Sequence, residues 1–282
     1  MSESLTVWIT GASSGLGLHT MNALRDAGYT VIAGARSFRE VSQEDNLYRL
    51  PLDVISDESI DAFCQAALNV SPRVDALVQC AGILVLGSCE ETSVEEYNRV
   101  MNTNFLGMVR MNRRVLPLMR GQGGGRIILF SSINGLLGVP FQSAYTASKH
   151  AIEGYAECLA MEGKPHHIQV CLVEPGDHRS GSDTYRYHAA GMGEDSPYKG
   201  DFTSAAATIH RDECGGSDPD ALGRRIAQVI RRRRMPFRLR IAKADQHLAV
   251  YLHDALLPGM NAMILRRYYC GHGAGGRARK KE

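Results

Sequence analysis

The segment Thr10-Gly11-Ala12-Ser13-Ser14-Gly15-Leu16-Gly17 separates two patterns of different period. Before it lies the apolar run Leu5 to Ile9. After it a helical pattern extends from Leu16 to Ala27. A short apolar run bounded by a glycine turn reads as a buried strand, and a strand that turns straight into a helix begins a parallel α/β unit. Such a turn also cradles phosphate: small residues let backbone N–H groups approach, and the helix dipole favours negative charge. The spacing Gly-x-x-x-Gly-x-Gly differs from the Gly-x-Gly-x-x-Gly dinucleotide fingerprint. The loop therefore needs support from chemistry elsewhere in the chain.

The alternation continues. Strands are expected near 5–10, 30–35, 47–52, 75–80, 126–131, 168–174 and 237–241. Helices are expected near 15–27, 57–69, 93–120, 144–163, 219–233 and 244–256. Short strands rich in Val, Ile and Leu, each followed by a longer helix, imply a doubly wound parallel sheet of about seven strands covered on both faces. Ligands bind such sheets at the carboxyl ends of the strands. Gly11, Ser132 and Pro175-Gly176 all fall there. A single domain over 1–270 is expected, with a basic, glycine-rich and disordered tail over 271–282.

Tyr145-Thr146-Ala147-Ser148-Lys149 supplies the chemistry. On a helix, residues four apart share a face, so the ammonium reaches toward the phenol. A free phenol titrates near ~10 and exchanges protons poorly at neutral pH. A neighbouring cation favours the phenolate and brings it toward the working range. Tyr145 is then fitted to exchange a proton with an oxygen whose carbon exchanges a hydride.

Glycine loop and tyrosine–lysine pair together resemble the short-chain dehydrogenase/reductase family over about residues 5 to 180, implying a Rossmann-like fold. Further positions match. Asp53-Val54 falls where the family contacts adenine, and Ala81-Gly82 follows the strand Ala76 to Val78. Asn104 precedes Phe105-Leu106-Gly107, Ser132 lies thirteen residues before Tyr145, and Pro175-Gly176 ends a strand. The resemblance implies a catalytic set of Asn104, Ser132, Tyr145 and Lys149. Tyr145 would be the general acid/base, and Lys149 would lower its pKa and hold the nicotinamide ribose. Ser132 would polarise the carbonyl, and Asn104 would fix a helix kink and a relay water. Cofactor contacts are implied at Gly11, Ser13, Ser14, Gly15, Leu16, Gly17, Asp53, Val54, Ala81, Gly82, Pro175, Gly176 and Ser180, beside Tyr145 and Lys149. Gln79-Cys80-Ala81-Gly82 departs from the family's Asn-Ala-Gly pattern and lacks the asparagine that steadies the central sheet.

The second strand bears on cofactor choice. Relatives that use NAD(H) end it with an acid that bonds the ribose 2′-hydroxyl; here Ala35 is followed by Arg36-Ser37. Nothing repels a 2′-phosphate, and an arginine fork suits one. NADP(H) is expected over NAD(H), although Arg36 also reads as an ordinary surface arginine. The segments Gly138 to Phe141, Ala151 to Gly154 and Arg238 to Ile241, with the apolar helix ending Leu256-Leu257-Pro258, resemble the hydroxysteroid and retinol dehydrogenase branch. That branch implies an apolar steroid-, retinoid- or lipid-like alcohol or ketone.

Residues 177 to 218 are rich in Gly, Ser, Asp and Tyr and lack a long apolar period, which reads as a substrate lid with one short helix over Thr203 to Arg211. Asp177-His178, Tyr185 and Tyr187 either line a pocket or merely belong to the lid. Seven cysteines without a Cys-x-x-Cys pair suggest reduced thiols and a cytoplasmic protein, with Cys80, Cys158 and Cys171 in the core. The chain enters its first strand at once and has no apolar run long enough to span a membrane. No metal site is expected. Arg231 to Arg234, with Arg224, Arg225, Arg238 and Arg240, form a basic cluster that reads as a solvated helix end or a weak membrane-surface contact. Phe105, Met108, Val109 and Val115 permit a homodimer or homotetramer. Net charge of +2 and the absence of interleaved aromatics disfavour nucleic acid. A non-catalytic NADP(H)-binding redox sensor is the alternative to an enzyme, and retention of all four catalytic positions weighs against it.

Overall fold

A computed structural model of the chain describes residues 4–181 and 186–271. The tail, apart from Gly271, and Tyr185 lie outside the described residues. Five central strands are β1 (Thr6–Thr10), β2 (Thr30–Ala35), β4 (Leu47–Pro51), β5 (Ala76–Gln79) and β7 (Gly125–Phe130). Around them stand β3 (Ser42–Glu44), β8 (Ile168–Pro175) and β10 (Arg238–Ile241), giving one sheet in the order β10-β8-β7-β5-β1-β2-β4-β3. All pairings are parallel except β3 with β4. The chain winds outward from β1 through β2 and β4, then returns to build the other half from β5. The switch point therefore lies between β1 and β5, where a crevice opens at the carboxyl ends.

Among the described residues the sheet has eight strands, the seven read from the sequence and one more. The extra one, β3, is exposed throughout, so no hydrophobic alternation marks it in the sequence. A second, two-stranded sheet pairs β6 (Leu84–Leu86) with β9 (Arg186–His188).

Side chains alternate across the pleat, which splits the core in two. Trp8, Ile32, Leu77 and Ile127 face α2 (Asp57–Val70), α4 (Gly107–Gly121) and α5 (Ser143–Gly163). Val7, Ile9, Val31 and Val78 face α1 (Gly15–Asp26) and α7 (Pro219–Ile230). Met108 and Val115 are spent in the first of these cores, so they cannot form the pairing face expected of them. Cys171 is buried, whereas Cys158 is exposed on α5 and is not a core residue.

The expected helix over 93–120 is three pieces: α3 (Val94–Met101), a π-helical turn at Asn102–Leu106, and α4. The supposed lid is more ordered than its composition suggests. It holds β9 and the sixteen-residue α6 (Lys199–Cys214), longer than the expected Thr203–Arg211 helix. Only Ala205, Thr208 and Ile209 of α6 are buried, which explains the faint period. Beyond β10, α8 (Ala244–Ala255) is followed by α9 (Pro258–Cys270), which the sequence reading missed.

The basic cluster does not form a single surface. Glu174, fully buried on β8, accepts from Arg238 Nη1 at 2.7 Å and Arg240 Nε at 2.8 Å. Arg238 also bridges to Glu153 and Glu157. These two arginines fasten the edge strand β10 to β8 and α5. Arg231 lies over the Tyr29 ring at 5.0 Å, and Arg232, Arg233 and Arg234 are exposed at the amino-end rim of the sheet. That rim is opposite the crevice.

Candidate active site

Gly11 and Gly15 have φ of 69° and 54°, in the left-handed region that favours glycine. A Cβ on Gly11 would come within 2.6 Å of the Ala81 backbone, and one on Gly17 within 2.1 Å of the Gly11 carbonyl oxygen. Bare backbone thus lets the start of α1 close against the β1 and β5 loops. Ser14 caps α1 without a side-chain hydrogen bond, and no acid stands in the first turn. The helix end therefore presents N–H groups toward the crevice with nothing competing for them, which fits a pyrophosphate.

Gly11, Ser13, Ser14, Gly15, Leu16 and Gly17 form one wall of a cleft of about 360 Å³. Arg36, Ser37, Asp53, Val54, Ala81, Gly82, Ser132, Tyr145, Lys149, Pro175, Gly176 and Ser180 line the same cleft. Arg36 and Ser37 are exposed just past β2. They continue into a shallow depression with Arg39, a second cation that the sequence reading passed over.

Lys149 is buried on α5, with 5 % of its surface exposed, and donates to the Phe130 carbonyl at 2.7 Å. Its Nζ lies 5.3 Å from the centre of the Tyr145 ring. Burial pushes its pKa down to about 8, against the opposing influence of Cys80 and Glu153. Ser132 ends the β7 segment and opens a 3-10 turn over Ile133–Gly135, where its Oγ accepts from the Asn134 N–H at 3.2 Å. Asn134 Nδ2 in turn donates to Gln142 Oε1 at 2.7 Å, tying this turn to the start of α5. Asn134 and Gln142 escaped the sequence reading because neither stands in a motif.

Asn104 does not line the cleft. It is buried in the π-helical turn, where Oδ1 accepts from the Ile83 N–H at 2.8 Å. Nδ2 donates to the Ile83 carbonyl and to Ser148 Oγ, both at 3.0 Å. It therefore locks the kink between α3 and α4 onto α5 and onto the segment that follows β5. Asn104→Ala strands the buried Ile83 N–H and carbonyl and takes one partner from Ser148 Oγ, so unfolding free energy should drop by about 1–3 kcal/mol. Urea denaturation tests this; an unchanged midpoint would mean the clamp contributes nothing.

Gln79 replaces the missing asparagine with a different solution. Its Nε2 donates to Asn112 Oδ1 at 2.7 Å, and Asn112 Nδ2 donates to the Tyr155 hydroxyl at 3.0 Å. The chain of amides ties β5 to α4 and α5.

The far end of the cleft is lined by Leu84, Tyr187, Ile209 and Tyr269, with Asp177, His178, Asp212 and Glu213. Asp177 thus lies in the cleft wall, where burial, then Glu213 and Asp212, push its pKa up to about 6. His178 is buried, and Tyr187 stacks under Arg99 at 4.3 Å. Among the described residues no three His, Cys, Asp or Glu side chains gather as a metal site. His19, on α1, bonds Asp220 of α7 at 2.6 Å. Among the described residues no helix is long and apolar enough to cross a membrane.

Comparison with known proteins agrees with this geometry. A 3-ketodihydrosphingosine reductase of Bacteroides thetaiotaomicron is 36 % identical over 93 % of this chain and 97 % of its own. Dehydrogenase/reductase SDR family member 7B of Xenopus laevis is 30 % identical over 89 % of this chain and 77 % of its own. Among solved structures, a short-chain dehydrogenase from Streptomyces avermitilis superposes with a TM-score of 0.78 at 29 % identity, covering 94 % of this chain and 97 % of that one. The short chain dehydrogenase family model matches residues 5–189, the stretch that carries the glycine loop, the kinked helix and the Tyr145–Lys149 pair. The chain belongs to that family and is an oxidoreductase.

Proposed function

We propose that this single domain interconverts a carbonyl and an alcohol with NADP(H), on an apolar lipid-like substrate. The observation that carries the reading is that Tyr145, Lys149 and Ser132 share one cleft with the glycine loop and Arg36. The glycine loop and the α1 N-terminus hold the pyrophosphate, Arg36 and Ser37 the 2′-phosphate, and Lys149 the nicotinamide ribose. Asp53 and Val54 flank the adenine, and Pro175, Gly176 and Ser180 border the nicotinamide. The bound nicotinamide supplies the hydride in reduction and accepts it in oxidation. In reduction, Tyr145 gives its phenolic proton to the carbonyl oxygen while Ser132 Oγ–H donates a hydrogen bond to it. Fixed donors at that oxygen stabilise the charge that develops there. The Lys149 ammonium stabilises the phenolate that remains until solvent returns the proton.

The apolar lining at Leu84, Ile209 and Tyr269 suits an alkyl or ring system. The relative from Bacteroides thetaiotaomicron makes a long-chain ketone the first substrate to try. NADPH oxidation across 3-ketodihydrosphingosine, steroid ketones, retinal and simple ketones is the test. Turnover with none of them above the background rate would defeat the reading.

Lys149 gives this reading a pH signature. Only the ammonium form donates three hydrogen bonds. Its folded pKa is depressed to about 8, so the free protein sheds this proton as pH rises through that value. Ligand that prefers the ammonium then binds less tightly, by up to about tenfold per pH unit. NADPH affinity should be level from pH 7 to about 8 and fall above it, well clear of the 2′-phosphate titration near ~6. Fluorescence titration reads this, and Lys149→Met should remove the bend. A wild-type profile level to pH 9.5 would take Lys149 out of the ribose contact.

A further inference from the structure

The exposed large apolar side chains are unevenly spread. Leu248, Tyr251, Leu257, Met260, Met263, Ile264 and Tyr268 are 44–72 % exposed and fall within α8, α9 and the corner between them. On α9, Met260, Ile264 and Tyr268 recur every four residues with Met263 beside them. Asn261, Leu265 and Tyr269 occupy the inner face. A helix that spends one apolar stripe on its core and keeps a second in water has an unfilled contact.

We propose that α8, the Leu256–Leu257 corner and α9 dock this protein on an anionic lipid surface. Charge is what selects the occupant. Arg267 borders the stripe beside Arg266, which is itself paired with Asp201 at 3.1 Å, and after Gly271 the sequence continues with Arg277, Arg279, Lys280 and Lys281 against Glu282 alone. Apolar side chains followed in the sequence by such a basic run combine the two attractions of an interfacial helix, area buried among acyl chains and cations over anionic headgroups. A second copy of the chain would bring the same positive charge and be repelled. Tyr251 has the apolar body and polar tip that settle at headgroup depth, whereas the Tyr268 hydroxyl donates to Asp212 at 2.7 Å and offers only its ring. Asp245 and Asp254, exposed on α8, make that helix the shallower of the two.

Position gives the contact a purpose. α8 follows β10 directly and so begins at the carboxyl-end rim, where the cleft opens. Tyr269, one residue past Tyr268, lines the cleft itself. An apolar substrate could pass from bilayer to cleft without crossing water. The docking goes beyond the proposed reaction and is measured without turnover, so either can fail alone.

Full-length protein is sedimented with vesicles of equimolar phosphatidylcholine and phosphatidylglycerol, and with phosphatidylcholine alone. Wild type should partition onto the anionic vesicles and much less onto the neutral ones. The exposed triple change Leu257→Ser, Met263→Ser, Ile264→Ser should weaken partitioning by about tenfold or more, with circular dichroism unchanged. Trp8, the sole tryptophan, is fully buried, so Met263→Trp reports on the face alone. Its emission should shift to the blue on adding anionic vesicles. Arg232→Gln, Arg233→Gln, Arg234→Gln, on the opposite rim, should bind as wild type does. Wild type left in the supernatant, full binding by the serine variant, or an unmoved Met263→Trp spectrum would overturn the proposal. So would loss of binding in the arginine variant, or a serine variant whose only change is from oligomer to monomer.

Discussion

Tyr145→Phe should leave the protein folded and able to bind NADPH while carbonyl reduction falls by about 10²–10⁴. The substitution deletes one oxygen. The ring keeps its packing against the Leu84, Leu86 and Ile209 cluster, so the fold loses little. The proton donor goes, and with it the phenolate that the nearby Lys149 ammonium would stabilise. Ser132 and the bound cofactor remain, which leaves residual catalysis above the uncatalysed rate. Single-turnover NADPH oxidation with the best ketone, beside a fluorescence titration of NADPH, separates the two effects. Turnover within a few-fold of wild type would remove Tyr145 from proton transfer. Equal loss of turnover and cofactor binding would mean that the hydroxyl organises the nucleotide site instead.

What the sequence disclosed depends on how locally each feature is encoded. The central strands are continuous apolar runs because both faces of a parallel sheet are covered, and Val7-Trp8-Ile9 serves both cores at once. Such runs are legible without tertiary knowledge. The glycine loop is legible too, because Gly11 and Gly17 answer to backbone contacts that no side chain could share. The misses are of the opposite kind. β3 is exposed and short, so only its pairing with β4 defines it. α6 buries three side chains and depends on its packing against α9 and β6. Asn134 and Gln142 acquire meaning only when two segments eight residues apart fold onto each other. Arg231 to Arg234 are the solvated helix end the sequence suggests, but two members of the basic cluster were misjudged for the same reason. Arg238 and Arg240 look solvated in the sequence, yet the carboxylate that neutralises them, Glu174, lies sixty-four and sixty-six residues away on a neighbouring strand.

Cofactor choice should turn on Arg36. Arg36 is exposed at the end of β2 where Ser37 and Asp53 complete the lining, and a planar guanidinium fork has the geometry that suits a 2′-phosphate. Hydrogen bonds to a charged group are each worth about 1.5–3 kcal/mol. Arg36→Ala should therefore weaken NADPH by roughly ten- to more than a hundredfold and leave NADH nearly unchanged, because only one of them carries the phosphate. The neighbouring Arg39 sets the upper bound: a cation in the same depression can recover part of the loss. The double variant Arg36→Ala, Arg39→Ala should then lose more than the single one. Isotherms for both cofactors against all three proteins decide the matter. If Arg36 is only a surface arginine, neither affinity moves. Wild type that already prefers NADH would overturn the assignment, since Asp53, the carboxylate beside that wall, would then be the group that holds the ribose hydroxyls.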